Sequence, residues 1–106
     1  MAVPVLSENF AKEISHIEKP VVIEFFALWC PKCAMMNPIY EKIARTLRNE
    51  IVFYKVDVDH AMRQVAELGI EIYPTFIVYH KGKILGYTAG VLSESVLKAR
   101  ILELTK

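Results

Sequence analysis

One short stretch constrains this chain more than any other, because a strand leads directly into a cysteine pair and then a helix. The apolar run from Val21 to Phe26, broken only by Glu24, predicts a buried strand. The only two cysteines of the chain follow it, as Cys30 and Cys33. Apolar residues then recur at helical spacing from Ala34 to Leu47. This succession indicates a site for thiol chemistry.

The spacing of the two cysteines suits reversible disulfide formation. With Cys30 at the helix cap, Cys33 lies one turn later on the same face, about 5–6 Å away between Cβ atoms, and small rotamer changes bring the sulfurs together. Pro31 fits the first helical position, where its missing N–H is not needed. The free N–H groups of that turn, the helix dipole and the Lys32 cation predict a depressed pKa for Cys30, the attacking thiolate. Cys33 is expected to resolve the mixed disulfide.

A Cys-x-x-Cys pair has two other uses in proteins. Half of a zinc site needs two more soft ligands, and the available histidines, His16, His60 and His80, are scattered singly. A permanent structural disulfide across so short a loop would add little stability. A redox-active pair is therefore the favoured interpretation, with zinc as the minor alternative. No cofactor and no metal are expected, because the cysteines carry the electrons.

Length and composition bound the remaining possibilities. At 106 residues the chain is expected to form one domain, residues 1–106, with a core that needs no metal or disulfide staple. A net charge of +1 favours neither nucleic acid nor a membrane surface as partner. No apolar stretch approaches the roughly 18 residues of a membrane span, and the first residues do not resemble a signal peptide. A monomer in the cytoplasm, where a dithiol stays reduced, is expected.

Apolar spacing and turn residues predict the element order β-α-β-α-β-α-β-β-α. The predicted elements are a strand over 2–6, a helix capped by Ser7 and ended at Lys19-Pro20, a strand over 20–26, a helix over 31–48, a strand over 51–58, a short helix capped by Asp59 and closed by Gly69, strands over 76–79 and 83–88 around a Lys81-Gly82 turn, and a helix capped by Ser93. Pro38 is expected to kink the second helix. The early βαβ units imply parallel strands, and the closing hairpin makes the sheet mixed.

These features together resemble the thioredoxin family over nearly the whole chain. The matching residues are Glu24, six positions before Cys30, the stretch Trp29-Cys30-Pro31-Lys32-Cys33, then Pro38, Lys55, Tyr73-Pro74-Thr75, Lys81-Gly82-Lys83 and Gly90. The resemblance implies an α/β thioredoxin fold, with a central mixed five-stranded sheet flanked by four helices on both faces. It also implies a protein-disulfide reductase that acts on protein disulfide substrates. A thioredoxin-reductase-type or glutathione-based electron donor would then reduce the Cys30–Cys33 disulfide back to the dithiol.

The resemblance further assigns roles in substrate docking. It implies that the Tyr73-Pro74 peptide is cis and faces the cysteines. The backbone of Tyr73 would pair with an extended substrate segment, and its bulky side chain should narrow the groove. Trp29, Pro31, Tyr73, Pro74 and Gly90 would frame that groove.

Glu24 and Lys55 are expected to assist the chemistry. A carboxylate in a buried strand is unfavourable unless it is paired or protonated. In the family this acidic residue is typically Asp, and it helps to move the proton of the inner cysteine. We therefore expect a raised pKa for Glu24, a role as general base toward Cys33, and Lys55 nearby as a partial counter-charge. The alternative is a plain Glu24–Lys55 ion pair without proton transfer.

The residues between the cysteines depart from the commonest family pattern. That pattern is Gly-Pro, whereas this chain has Pro31-Lys32, and a proline in the first slot is similar to glutaredoxins and bacterial disulfide oxidases. A stabilised Cys30 thiolate stabilises the reduced form, so a weaker reductant than an ordinary thioredoxin is expected. Two alternatives stay open. One is a glutaredoxin-like or oxidase-like protein that uses glutathione, and the other is a thioredoxin-fold binding module without redox turnover.

Overall fold

A five-stranded sheet runs through the centre of the computed structural model, which describes residues 2–106. The strands are β1 (Val5–Leu6), β2 (Val21–Phe26), β3 (Val52–Asp57), β4 (Thr75–His80) and β5 (Lys83–Ala89). The helices are α1 (Phe10–Ile14), α2 (Pro31–Leu47), α3 (Met62–Glu67) and α4 (Glu94–Leu104), with a 3₁₀ turn at Val58–His60 before α3. None of the helices within residues 2–106 is both long enough and apolar enough to cross a membrane.

The strands lie in the order β1-β3-β2-β4-β5. β3 pairs in parallel with β1 and β2, whereas β4 pairs antiparallel with β2 and β5. The turn between β4 and β5 has positive φ angles at Lys81 (53°) and Gly82 (80°), the geometry that closes a tight hairpin. The predicted α/β class, mixed five-stranded sheet and four helices are confirmed.

The sheet separates two apolar cores. Because side chains alternate along a strand, Val21, Ile23 and Phe25 point to one face of β2, and Val22 and Glu24 point to the other. The first face is covered by residues of α1 and α3, among them Phe10, Ile14 and Val65. The second face is covered by residues of α2 and α4, among them Met36, Tyr40, Ile43, Leu97 and Ile101. Glu24 thus lies under the helix that begins at the cysteine pair.

Several predicted helix boundaries are confirmed. Pro31 occupies the first turn of α2, and the helix continues through Pro38 to Leu47. The Ser93 hydroxyl accepts a hydrogen bond from the N–H of Val96 and caps α4. Gly69, with φ of 73°, follows the last residues of α3 in the left-handed conformation that ends many helices.

The predicted cap of the first helix is wrong. α1 begins at Phe10, and its N-cap residue Asn9 makes no side-chain capping bond. The Ser7 hydroxyl instead accepts a hydrogen bond from the N–H of Asn9 at 3.0 Å and donates one to Glu13 at 2.8 Å. Ser7 therefore shapes the turn that leads into α1.

The predicted end of the first helix is also wrong. α1 ends at Ile14, well before Lys19-Pro20. The Ser15 hydroxyl donates a hydrogen bond to the carbonyl oxygen of Lys12 at 2.7 Å. A local bond of this kind competes with the backbone bonds that would extend the helix.

The predicted cap of the third helix is wrong as well. Asp57, not Asp59, is the capping carboxylate, and it accepts the N–H of Asp59 at 2.9 Å at the start of the 3₁₀ turn. α3 itself begins after Ala61 without a side-chain cap. The carboxylate of Asp59 is left to bond elsewhere, beside the cysteine pair.

Candidate redox site

The two cysteines lie together at the start of α2. Cys30 is the N-cap residue, with extended backbone, and its sulfur accepts a hydrogen bond from the N–H of Cys33 at 3.2 Å. The Cys33 thiol points at the same sulfur, with the two Sγ atoms 2.7 Å apart. Both thiols are free and nearly buried. The structure thus brings together the pair that the spacing predicted to be within disulfide reach.

The inner thiol holds its proton strongly. Burial, together with the hydrogen bond to Cys30, raises the pKa of Cys33 to about 12. A negative charge on Glu24 contributes in the same direction. Cys33 is therefore a protonated thiol at neutral pH and needs a base before it can act as a nucleophile.

A cleft of about 360 Å³ opens beside the sulfurs. It is lined by Phe26, Ala27, Leu28, Cys30, Cys33, Ala34, Asn37 and Lys55. The Cys30 sulfur also lies 3.8 Å from the backbone oxygen of Tyr73, to which the Cys30 thiol can donate a hydrogen bond. Within residues 2–106, His, Cys, Asp and Glu side chains form no group of three or more that could hold a metal ion.

Trp29 forms an exposed wall next to the cysteines. The residue is 63% exposed, and its indole N–H donates a hydrogen bond to Oδ2 of Asp59 at 2.9 Å. The Tyr73 ring packs against it edge to face, with centroids 5.9 Å apart. A second cleft, of about 210 Å³, lies on this side of Trp29, between Asp59, Met62 and Tyr73. The sequence pattern predicts Asp59 as a helix cap and gives no sign of its bond to Trp29.

The Tyr73–Pro74 segment lies close to the Cys30 sulfur. The peptide bond between these residues is cis. The backbone N–H of Gly90 donates to the carbonyl oxygen of Pro74 at 2.9 Å, which ties the end of β5 to this segment. Gly90 has a φ of 90°, a conformation that residues with a Cβ rarely adopt.

The two residues between the cysteines are both exposed on the first turn of α2. Pro31 is at the first helical position, as expected. The charge of Lys32 is surrounded by solvent, which weakens its effect on neighbouring groups.

Glu24 is the buried carboxyl of the site. Only 1% of its surface is exposed, and its Oε2 atom has no hydrogen-bond partner within the described residues. Burial raises the pKa of Glu24 to about 7, although the Lys55 charge opposes the rise, and the Glu41 charge adds to it. The pKa of Glu24 is thus raised, as the sequence predicted, and the carboxyl changes its charge near neutral pH.

Lys55 does not pair with Glu24, although the two residues are opposite each other in the register of β2 and β3. Its ammonium group forms an ion pair with Oε2 of Glu41 at 2.9 Å and hydrogen bonds to Oδ1 of Asn37. It also lies 5.8 Å from the centroid of the Phe26 ring. The plain Glu24–Lys55 ion pair considered above is thus not the arrangement found among the described residues.

Glu41 is a charged residue of the site for which the sequence predicts no role above. Its two carboxylate oxygens accept the N–H of Val3 at 3.0 and 3.1 Å. Burial alone would raise the pKa of Glu41, but the bonds from Lys55 and Val3 outweigh it and lower the pKa. A signal was available, because Cys33, Asn37 and Glu41 recur every four residues and share one face of α2.

The chain is similar in sequence to known thioredoxins. The family model described as Thioredoxin matches residues 1–103. A thioredoxin of Malassezia sympodialis is 39% identical over 93 residues, which cover 87% of this chain and 88% of that protein. Thioredoxin H4 of Arabidopsis thaliana is 37% identical over 87 residues, which cover 82% of this chain and 72% of that protein.

Solved structures agree with the sequence comparisons. A crystal structure of Malassezia sympodialis thioredoxin superposes with a TM-score of 0.86 at 36% identity, covering 99% of this chain and 92% of that one. A chain from a study of thiol resolution in yeast mitochondrial 1-Cys peroxiredoxin via glutathione/thioredoxin systems has a TM-score of 0.83 at 26% identity, covering 95% and 94%.

Proposed function

The chain belongs to the thioredoxin family and is a thiol–disulfide oxidoreductase, and on that premise we propose that Cys30 is its attacking thiolate and Cys33 its resolving thiol. One observation carries this assignment. The Cys30 sulfur sits at the N-cap of α2 and accepts the N–H of Cys33, a donor that favours a negatively charged sulfur. The Cys33 thiol lies deeper and points at Cys30, where a resolving group has to be.

The proposed reaction has two exchange steps. The Cys30 thiolate attacks one sulfur of a protein disulfide, which breaks the substrate S–S bond, forms a mixed disulfide and releases the other substrate sulfur as a thiolate that takes up a proton. Cys33 then loses its proton and attacks the Cys30 sulfur, which releases the second substrate sulfur. Two electrons have passed to the substrate, and Cys30 and Cys33 are left as a disulfide. A donor then reduces this disulfide.

Glu24 is the proposed base for the second step. The Cys33 proton has to leave a thiol whose pKa is about 12, whereas the pKa of Glu24 is about 7. Glu24 is close enough for its charge to act on Cys33, and its buried, unpartnered oxygen is free to take up a proton. Lys55 supplies a positive charge that favours the ionised form of Glu24.

The proposed docking groove is framed by Trp29, Pro31, Tyr73, Pro74 and Gly90. The Trp29 and Tyr73 rings are in edge-to-face contact. The closeness of the Tyr73 backbone oxygen to the Cys30 sulfur, 3.8 Å, supports a role in holding an extended substrate segment beside the reacting atoms. Lys32 is assigned a small tuning effect on the Cys30 thiolate, because its charge is exposed.

The family as a whole acts on disulfide substrates and is served by reductase-linked or glutathione-linked partners. For this chain we propose protein disulfides as substrates and a thioredoxin-reductase-type donor. We also propose a cytoplasmic monomer, with residues 1–106 as one domain and with neither nucleic acid nor membrane as partner. The two cores packed on a single sheet support a single domain, and the net charge of +1 supports the absence of nucleic-acid and membrane partners. The relatives reported above are thioredoxins, which disfavours the glutaredoxin-like alternative.

An insulin-reduction assay tests the proposal. We expect activity with NADPH and a thioredoxin reductase, slower turnover with glutathione alone, and background rates for C30S and C33S. C33S should accumulate a mixed disulfide with substrate through Cys30, whereas C30S should not. A34S, which places a hydroxyl in the same cleft without removing a sulfur, serves as the control. Full turnover by C30S would refute the assignment, whereas background rates for the parent protein would favour the binding-module alternative.

A further inference from the structure

Lys55 lies next to the buried carboxyl of Glu24 but does not form an ion pair with it. The register of β2 and β3 places Lys55 beside Glu24, across neighbouring strands that are about 4.8 Å apart. Burying a carboxyl without a hydrogen-bond partner costs free energy, and a nearby ammonium group would lower that cost. The ammonium group is nevertheless held by Glu41 and Asn37 on α2. Some feature of the chain has to keep Lys55 in that position.

We propose that Glu41 is a positioning residue for the redox reaction, because it binds the Lys55 ammonium on the α2 side and so leaves Glu24 free to exchange a proton with Cys33. The proposal rests on the base role proposed for Glu24 above. Glu41 acts through Lys55 and does not contact the sulfurs. Its role is to keep the buried carboxyl unpaired.

The hydrogen bonds of Glu41 explain why it can compete for the ammonium group. Its carboxylate is held by the backbone N–H of Val3 as well as by Lys55, so it is fixed in place. The side chains of Glu41 and Lys55 are each only 12% exposed, so solvent screens their attraction weakly. Asn37 adds an uncharged acceptor on the same face of α2. Two polar groups of one helix, Glu41 and Asn37, therefore hold the flexible side chain of Lys55, and the Val3 N–H fixes Glu41 in place.

The charged groups that act on Glu24 lie on β3 and α2. On β3 the neighbouring charge is Lys55, which favours the ionised form. On α2, Glu41 disfavours the ionised form, and Cys33 and Tyr40 are titratable groups on which the Glu24 charge acts. On β4 the register partner of Glu24 is Phe76, which does not titrate. Removing Glu41 should therefore act in two ways, by ending a repulsion and by releasing Lys55 toward Glu24.

A double-mutant cycle separates these two effects. The Glu24 carboxyl carbon is titrated by ¹³C NMR in the reduced full-length protein, its E41Q and K55Q variants, and the E41Q/K55Q double variant. We expect E41Q to lower the Glu24 midpoint by about 1 pH unit, a tenfold change in the ionisation equilibrium. In the K55Q background the same change should be within about 0.3 unit, because no ammonium group remains to be released. The pH at half-maximal resolution of the mixed disulfide should fall with the E41Q midpoint.

Controls guard against a merely structural effect. Gln at position 41 keeps an oxygen that can accept the N–H of Val3, and thermal unfolding shows whether the fold persists. N37A removes the other polar partner of Lys55 and should shift the midpoint in the same direction with Glu41 intact. E94Q, which breaks the exposed Lys42–Glu94 pair, should leave the Glu24 midpoint unchanged.

Two results would overturn the proposal. One is an unchanged Glu24 midpoint in E41Q, and the other is a shift of equal size in the K55Q background, which would show direct repulsion alone. These outcomes are distinct from a failure of the base role. That failure would appear as an E24Q variant whose mixed disulfide resolves with the same rate and pH profile as the parent, whatever the NMR titration gives.

Discussion

Lys55 lies opposite Glu24 in the register of paired strands but forms its ion pair with Glu41, 2.9 Å away on α2. The buried carboxyl of Glu24 is thereby left without a partner at one oxygen, and burial brings its pKa to about 7. A group with this pKa can both accept and return a proton at neutral pH. The predictions for Glu24 below follow from this arrangement.

Replacing Glu24 should slow the second exchange step more than the first. In E24Q, resolution of the mixed disulfide at pH 8 should fall on the order of 100-fold, because Cys33 loses its base. Attack by Cys30 should change little. Stopped-flow measurement of mixed-disulfide formation and decay separates the two steps. In the parent protein the resolution rate should drop as the pH falls through about 7, where Glu24 becomes protonated.

The matched control for this prediction is E24D, which keeps a carboxyl at the position. It should recover much of the rate that E24Q loses. Equal resolution rates in E24Q and the parent protein across this pH range would contradict a base role for Glu24.

Glu24 should also make stability depend on pH. Its pKa is about 7 in the folded protein and close to 4.5 in the unfolded chain, so the folded state binds more protons between these values. Stability from this group is therefore complete below pH 4.5 and is lost as the pH rises through 7. The full difference is about 3 kcal/mol. Urea unfolding of the reduced protein at pH 5 and pH 8 measures it.

In E24Q this part of the pH dependence should vanish. E103Q, which removes an exposed carboxylate paired with Lys106, should keep the full pH dependence. An E24Q variant that loses as much stability as the parent between pH 5 and 8 would show that another group is responsible.

The hydrogen bond between Trp29 and Asp59 should hold the exposed wall of the groove. D59A removes the acceptor for the indole N–H, so we expect greater mobility of Trp29 and a several-fold rise in KM for insulin. The chain has a single tryptophan, so its fluorescence anisotropy reports this ring alone. E67Q, which affects only an exposed ion pair on α3, is the control. Unchanged anisotropy in D59A would rule out this role.

Gly90 should be needed for both stability and docking. At a φ of 90°, an alanine would be strained by about 1–2 kcal/mol, and the bond from the Gly90 N–H to Pro74 would be disturbed. G90A should therefore lower the free energy of unfolding and raise KM for insulin. G69A imposes similar strain at the end of α3, where φ is 73°, and should lower stability alone. Matching KM values in the two variants would contradict a role for Gly90 in docking.

Lys32 should have only a small effect on the reduction potential. Its side chain is exposed, and exposed charges contribute about 0–1 kcal/mol to such equilibria. K32Q should make the protein a slightly stronger reductant, by less than about 20 mV, because a cation near the thiolate has been removed. Equilibration with glutathione at known ratios gives the potential. A change of about 60 mV would show that Lys32 is held against Cys30 in solution.

Features carried by neighbouring residues were predictable from the sequence. Pro31 at the start of α2, Ser93 at the cap of α4 and Gly69 at the end of α3 all act within one helical turn of their own position. The strand and helix order followed from apolar spacing. The prediction of Asp59 as a cap is wrong, because Asp57, two residues earlier, caps the 3₁₀ turn that precedes α3.

Features that depend on folding were not predictable in the same way. The four-residue spacing places Glu41 on the face of α2 that carries Cys33, but nothing local shows that Val3, which precedes β1, and Lys55 of β3 meet its carboxylate. Asp59 meets Trp29 only because the 3₁₀ turn after β3 lies beside the start of α2. Both residues act through partners at least 14 positions away, for which the sequence pattern gives no register.

The bonds from the Val3 N–H to Glu41 link the chain's first strand region to the carboxylate that holds Lys55. A purification tag, proteolytic trimming or a fusion partner that pulls on this segment would reach the redox site without touching either cysteine.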